Sequence, residues 1–277
     1  VIESPRHGRG DGTERRTRAI QVAGTVAAVL GVATLLVVAM VFFAPRTAGP
    51  DAAPSESPSG SPTASPTPTP TPEFDMSRYP IDEADSLWAV ANKLRPLSPV
   101  DYYPADLVDV PVKFVNPPQL RAEASAQVVA MFAAFTAETG LEMQSQSAFR
   151  SYATQESVYA GWVSSLGQEG ADLTSARPGH SEHQTGLAID ISAVPATCAL
   201  DQCFAETPQG QWLAANAYQW GFILRYPEGM TSITGYEFEP WHYRYVGIEL
   251  ATEMRERGIA TLEEFFGLPA APDYAAD

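Results

Sequence analysis

The sequence predicts an α+β domain in which helices flank a small antiparallel sheet, preceded by one transmembrane helix and a Pro/Thr-rich linker. Three observations carry this prediction. Apolar residues recur at helical spacing in three stretches, each closed by a glycine. Branched and aromatic runs too short for helices stand between them, as strands do. The two kinds of segment do not alternate as regular βαβ units, which argues against a doubly wound parallel sheet.

Residues 19 to 44 are uncharged and predominantly apolar, longer than the roughly 20 residues that cross a bilayer as a helix. Arg6, Arg9, Arg15, Arg16 and Arg18 precede this run and only Arg46 follows closely. The positive-inside rule therefore makes residues 1–18 a cytoplasmic basic tail and places the remainder beyond the cell membrane. A cleaved signal peptide has an apolar core of only about 7 to 15 residues, so a single-pass anchor is expected. From residue 45 to 73 the chain turns to Pro, Ser, Thr and Ala and ends in a Thr-Pro repeat. Such a composition buries no core and predicts a solvated spacer, reaching on the order of 80 Å at a polyproline rise of about 3 Å per residue. Residues 74–277 remain for one extracytoplasmic domain, long enough to have its own core.

Within that domain Val128, Met131, Phe132 and Phe135 set a helix over 119–139, ended by Gly140. Tyr159, Trp162, Val163 and Leu166 set a second over 154–166, followed by Gly167, and Trp212, Leu213, Asn216 and Trp220 a third over 210–220, followed by Gly221. These apolar faces read as core. Leu187–Ile191 reads as a short buried strand, Phe222–Tyr226 as a second and the aromatic-rich stretch Tyr236–Tyr245 as a third. Thr261-Leu-Glu-Glu264 offers a capping box for a short terminal helix. Cys198 and Cys203, the only cysteines, are expected to form a local disulfide in an oxidising compartment.

Of the 17 basic and 33 acidic side chains, 6 and 3 lie in the first fifty residues, leaving 11 against 30 beyond them. So acidic a domain argues against nucleic acid or anionic lipid as its partner, since both need basic footprints.

The chemistry is concentrated in two segments, Ser181-Glu-His-Gln-Thr-Gly-Leu-Ala-Ile-Asp190 and Glu239-Pro-Trp-His242. A zinc ion that does chemistry keeps three ligands from His, Asp, Glu or Cys and one open position for water, with a carboxylate nearby to manage the proton. Two histidines and two acids meet that requirement and point to a zinc hydrolase with one Zn2+ per domain. Spacing alone leaves the ligand set open, because His180, His183 and His242 are also chemically acceptable. Glu239 and His242 would face opposite sides of a flat strand, so Pro240 is expected to mark a distortion that turns both toward one metal. Trp241 between them reads as a packing wall. Neither Lys93 nor Lys113, the only lysines, follows a serine by three positions, and no His-Glu-x-x-His helix occurs, so those two hydrolytic designs are absent.

The motifs Ser147-Ala-Phe-Arg-Ser-Tyr152, Ala176-Arg-Pro-Gly-His-Ser-Glu-His-Gln-Thr-Gly-Leu-Ala-Ile-Asp190 and Glu239-Pro-Trp-His242 resemble the VanY-type zinc D-alanyl-D-alanine carboxypeptidases, relatives of the VanX dipeptidase. The similarity runs from about residue 88, with Asn92-Lys-Leu-Arg-Pro-Leu97 at its start, to about residue 258. The family pattern Ser-x-His-x-x-Gly-x-Ala-x-Asp is filled by Ser181, His183, Gly186, Ala188 and Asp190, and its distant Glu-x-x-His by Glu239 and His242. The resemblance implies His183, Asp190 and His242 as zinc ligands, Glu239 as catalytic base, Arg150 as oxyanion stabiliser, and Ser181 and Gln155 as substrate-binding residues. One departure stands at Phe149, where the family more often has tyrosine, so a phenol hydroxyl is missing. The expected reaction releases the terminal D-Ala from peptidoglycan stem peptides ending in D-Ala-D-Ala. The alternatives are an L,D-carboxypeptidase or endopeptidase on the same stems, or a wall-binding module without catalysis.

Overall fold

A four-stranded antiparallel sheet organises the domain, with β3 (Met143–Ser147), β4 (Ala188–Ala193), β6 (His242–Tyr245) and β5 (Phe222–Leu224) side by side in that order. The computed structural model describes residues 74–275, so the expected tail, transmembrane helix and linker all lie outside the described residues. No helix among the described residues is long and apolar enough to cross a membrane.

Alternation along these strands gives the sheet two unlike faces. Ile189, Ile191, Tyr243 and Tyr245 point to one side, where they join Met143, Phe222 and Val128, Met131, Phe132 and Phe135 of α1 (Ala122–Thr139) in the main core. Asp190, Ser192, His242 and Arg244 point to the other side and are also buried. Both faces of β4 are thus covered, as its apolar composition predicted. A second core forms around Trp88, which stacks on Phe74 and donates from Nε1 to the Val246 carbonyl at 2.9 Å. It also takes in Leu250 and Met254 of α5 (Ile248–Arg257) and Leu262 and Phe265 of α6 (Leu262–Phe265). The N-terminal end of α6 carries the expected cap, with the Thr261 hydroxyl accepting from the Glu264 amide at 3.1 Å.

The predicted helices are present with altered ends. Helix α1 runs Ala122–Thr139 and ends at Gly140 in the left-handed conformation, φ 71°. Its first three predicted residues, Gln119–Arg121, instead form β2 and pair with β1 (Leu107–Asp109), because strand pairing there buries Leu120 completely. Helix α2 spans Tyr152–Thr174 but is broken at Gly167, whose φ of 75° and ψ of 174° are non-helical, so a first segment ends at the expected glycine and a second, not foreseen from the sequence, continues to Thr174. The apolar side of α2 is not core: Trp162 is 40% and Leu166 52% exposed. Helical spacing identifies which residues share a face and says nothing of what covers that face. The third helix, α3 (Pro208–Asn216), tightens into a 3-10 turn over Ala217–Trp220 before Gly221. A single helical turn, α4 (Thr231–Thr234), precedes β6.

Candidate metal centre and cavity

Strand register brings the two motif segments together. Asp190 lies directly opposite His242 in the β4–β6 ladder, and opposed residues of an antiparallel pair share a face. His183 arrives from the 3-10 turn Glu182–Thr185, which ends at Gly186 with φ 68°. Glycine is favoured there because the left-handed backbone disfavours a side chain, and a Cβ would also have to displace the tip of the Leu107 side chain, 2.9 Å away. Pro240 does not distort a strand. It sits in a turn before β6, closed by the His242 amide donating to the Glu239 carbonyl at 3.0 Å. The turn brings Glu239 Oε2 to 3.9 Å from His242 Nδ1, which the spacing of three forbids on a flat strand.

His183, Asp190 and His242 each offer a ligand atom, all within 4.8 Å of one another, and all three residues are buried. The ring of His183 hydrogen-bonds through Nδ1 to the Ala148 carbonyl at 2.7 Å, which leaves Nε2 facing Asp190 Oδ2 at 3.3 Å as a lone-pair donor. His242 directs Nδ1 to Asp190 Oδ1 at 3.1 Å, while Nε2 faces Glu182 Oε2 at 3.4 Å. A proton on Nε2, held toward Glu182, frees Nδ1 on the side where Asp190 and Glu239 lie. Outer carboxylates and carbonyls of this kind orient metal-binding histidines and fix their tautomer. The donor set, two imidazoles and one carboxylate with a free carboxylate beside them, fits a catalytic zinc ion.

The electrostatics agree. Burial alone would raise the Asp190 carboxyl, but His183 and His242 hold it well below the usual range. Burial, aided by Arg150, pulls the His183 imidazole down toward its neutral form. At His242 burial is outweighed by the hydrogen bonds to Asp190 and Glu182, which push it up to about 9. That position therefore favours a positive charge, whether a proton or a divalent cation. Glu239, with 12% of its side chain exposed, is pushed up to about 8 mainly by burial, in the range where a carboxylate exchanges protons near neutrality.

The centre opens on a cavity of about 650 Å³ whose lining includes Arg150, Ser181, Glu239 and Trp241. Arg150 follows β3, and its backbone amide donates to the His183 carbonyl at 3.2 Å. Its Nε has no partner among the described residues, and burial disfavours its charge while Asp190 and Glu239 support it. Trp241 packs against the main core, as predicted, and also faces the cavity. Phe149 packs edge-on against Tyr103 with ring centroids 4.9 Å apart, an apolar role that needs no hydroxyl. Gln155 is fully buried and does not line the cavity. Its amide donates to Ser175 Oγ at 3.1 Å and to the Ala176 carbonyl at 2.7 Å, so it braces the segment leading to Ser181. His180 also stays apart, with Nδ1 2.8 Å from the Asn92 carbonyl and its ring edge-on to Tyr274. The ligand set His180, His183 and His242 is thereby set aside.

Sequence reasoning missed Glu182 and the group behind it. Glu182 Oε1 accepts from Arg225 Nε and Arg244 Nη1, both at 2.9 Å, and Glu263 accepts from both terminal nitrogens of Arg225 at 2.9 and 2.7 Å. Asn92 adds a bond to Glu263 at 2.9 Å, and Arg244 Nη2 donates to the Leu87 and Ala89 carbonyls. Two guanidinium and two carboxylate groups, each at most 1% exposed, form a neutral buried cluster. The available signal was an arginine inside each of two strand-like runs, Phe222–Tyr226 and His242–Tyr245, since a charge in a buried strand needs a buried partner.

Residues 117–248 match the family described as VanY, D-alanyl-D-alanine carboxypeptidase. The chain is 40% identical over 191 residues to the putative carboxypeptidase YodJ of Bacillus subtilis, covering 67% of this chain and 69% of that protein. Among solved structures it is similar to the LD-carboxypeptidase LdcB, with 40% identity, a TM-score of 0.62 and coverage of 66% of this chain and 87% of that one. It is also similar to a point mutant of a vancomycin-resistance D,D-pentapeptidase VanY solved in complex with Zn(II), at 31% identity and a TM-score of 0.53, covering 66% of this chain and 99% of the other. With the ligand-type cluster and the free carboxylate in place, the chain belongs to the VanY family of D-alanyl-D-alanine carboxypeptidases, which are zinc-dependent peptidases.

Proposed function

We propose that this protein is a zinc D,D-carboxypeptidase that removes the C-terminal D-Ala from peptidoglycan stem peptides ending in D-Ala-D-Ala. The observation that carries the reading is the buried His183, Asp190 and His242 cluster with the Glu239 carboxylate beside it and outside the ligand set. His183, Asp190 and His242 would hold the zinc, which when bound would supply Lewis acidity toward water and the scissile carbonyl. Glu239 takes the proton of the attacking water and passes it to the leaving amine, a role suited to a carboxyl pushed up to about 8. Arg150, with an unpartnered Nε in the cavity wall, donates to the developing oxyanion. Ser181, buried and lining the same cavity, offers its hydroxyl to the substrate's terminal carboxylate. Glu182 keeps His242 in the tautomer that ligation needs.

The reading extends to location: an N-terminal anchor and a solvated spacer would hold the domain outside the cell membrane, within reach of the wall. A second reading, L,D-carboxypeptidase action on stems already shortened by one residue, is favoured by the higher identity and TM-score to LdcB than to the D,D-pentapeptidase. Incubation with defined penta- and tetrapeptide stems, followed by mass analysis, separates the two. Loss of one Ala from the pentapeptide supports the D,D reading, and loss only from the tetrapeptide replaces it with the L,D reading. Cleavage at an internal bond overturns both.

A further inference from the structure

The cavity wall includes two elements that the chemistry above does not use. Val158 and Trp162 of α2, one helical turn apart, line it, and so do Leu200, Asp201 and Gln202 from the disulfide-closed loop after β4. Trp162 is 40% and Leu200 49% exposed. Exposed apolar side chains are ordinary when scattered, and what sets Leu200 apart is the way it is held. Cys198 and Leu200 are the only non-glycine residues with positive φ among the described residues, at 55° and 53°. Side chains disfavour that backbone region, which persists where the surroundings over-determine it. Here the Cys198–Cys203 bond closes the loop, the Asp201 carboxylate accepts from the Cys203 amide at 2.9 Å, and Cys198 packs against the main core. A loop closed over a sequence separation of five contributes little through chain entropy, so the bond acts locally.

We infer that Leu200, fixed by the Cys198–Cys203 disulfide, is a specificity-determining residue that, with Val158 and Trp162, grips the aliphatic part of the peptide on the amino side of the scissile bond. The inference rests on the carboxypeptidase reading. Such an enzyme has one substrate residue beyond the cut, and the rest of the chain must leave along the remaining wall. An aliphatic side chain or the methylene arm of a diamino acid is the chemistry that two or three apolar side chains recognise.

The test compares two substrates with the same C-terminal dipeptide: N-acetyl-D-Ala-D-Ala, and a stem pentapeptide with a diamino acid before that dipeptide. Leu200→Ala is expected to raise KM for the pentapeptide about tenfold with little change in kcat, and to shift KM for the acetylated dipeptide much less. The double variant Cys198→Ser/Cys203→Ser should produce the same split, and adding Leu200→Ala to it should produce little more, because both act through one side chain. Equal effects on the two substrates, or none, overturn the inference, as does full additivity of the loop and leucine changes. Should the cysteine pair prove necessary for folding, Leu200→Ala alone decides, since it keeps the bond. A wild-type protein that releases D-Ala from neither substrate defeats the functional reading instead. Calorimetric binding of the pentapeptide to wild type and Leu200→Ala then judges the grip separately: weaker binding by the variant supports it and equal binding refutes it.

Discussion

Two buried polar regions share the same face of one sheet and meet at Glu182, yet they are built to opposite rules. The cluster of Glu182, Arg225, Arg244 and Glu263 is closed: its charges balance, and the two arginines and both carboxylates find partners at hydrogen-bond distance. The centre of His183, Asp190, His242, Glu239 and Arg150 is open: Arg150 Nε has no partner, Glu239 is pushed up to about 8, and both face a cavity. A closed set fixes geometry, whereas an open one holds polar groups ready for a ligand that supplies what is missing. Disrupting the first should cost stability, and disrupting the second should cost function.

The largest effect is expected at the closed cluster. Arg225→Ala leaves the buried Glu263 carboxylate without a cationic partner and Glu182 with Arg244 as its one remaining arginine, and should destabilise the domain by roughly 3–5 kcal/mol in denaturant unfolding, because a broken buried pair leaves an uncompensated charge. A loss under about 1 kcal/mol, the range of exposed ion pairs, would erase the distinction between the regions. Next in size, Glu239→Ala should lower kcat by roughly 10²- to 10⁴-fold while leaving zinc content and unfolding free energy as in wild type or improved. His242→Ala, by contrast, should lose both zinc and turnover.

Glu239 answers pH with the opposite sign to the carboxyls of the closed cluster. Arg225 holds the carboxyls of Glu182 and Glu263 below their usual values against the pull of burial. Their stabilisation is present above the unfolded carboxyl value of about 4.3 and is lost as pH falls below it. Burial raises Glu239, so the folded metal-free protein favours the protonated form and loses stability as pH rises from about 4.3 toward 8. In thermal unfolding with chelator, Glu239→Gln should therefore gain on wild type progressively over that window and stay level below it. A gap that does not change with pH would contradict the raised carboxyl. Smallest of all, His180→Ala should alter zinc content and kcat by less than about twofold, since its ring is engaged with Asn92 and Tyr274 outside the cluster. Loss of zinc in that variant would reopen the ligand set that the sequence left undecided.

The open region was the more legible of the two in the sequence. Apart from Arg150, its residues stand in two short segments, the first with a glycine where the backbone turns left-handed, and β4, which carries Asp190, reads as a buried strand from its branched residues. The turn at Pro240 was harder to foresee, because proline marks a departure from strand geometry without saying whether a bulge or a turn follows. The closed cluster was hidden, since Glu182, Arg225, Arg244 and Glu263 lie in four separate segments and only the fold brings them together. Helix α2 shows the same gap from another side: its apolar spacing places Trp162 and Leu166 on one face and suggests core, whereas Trp162 faces a cavity and both are exposed. Local pattern reports which residues share a face, and tertiary packing decides what that face meets.

The central claim is that Asp190, His183 and His242 bind one divalent cation while Glu239 stays free. Anomalous diffraction at the zinc edge from crystals of the zinc-loaded domain addresses this most directly. The account predicts a single peak within about 2.0–2.2 Å of one atom from each of the three ligands, with the Glu239 carboxylate outside the coordination shell. A peak bonded to His180, a peak bonded to Glu239 in place of Asp190, or no peak between β4 and β6 would contradict it.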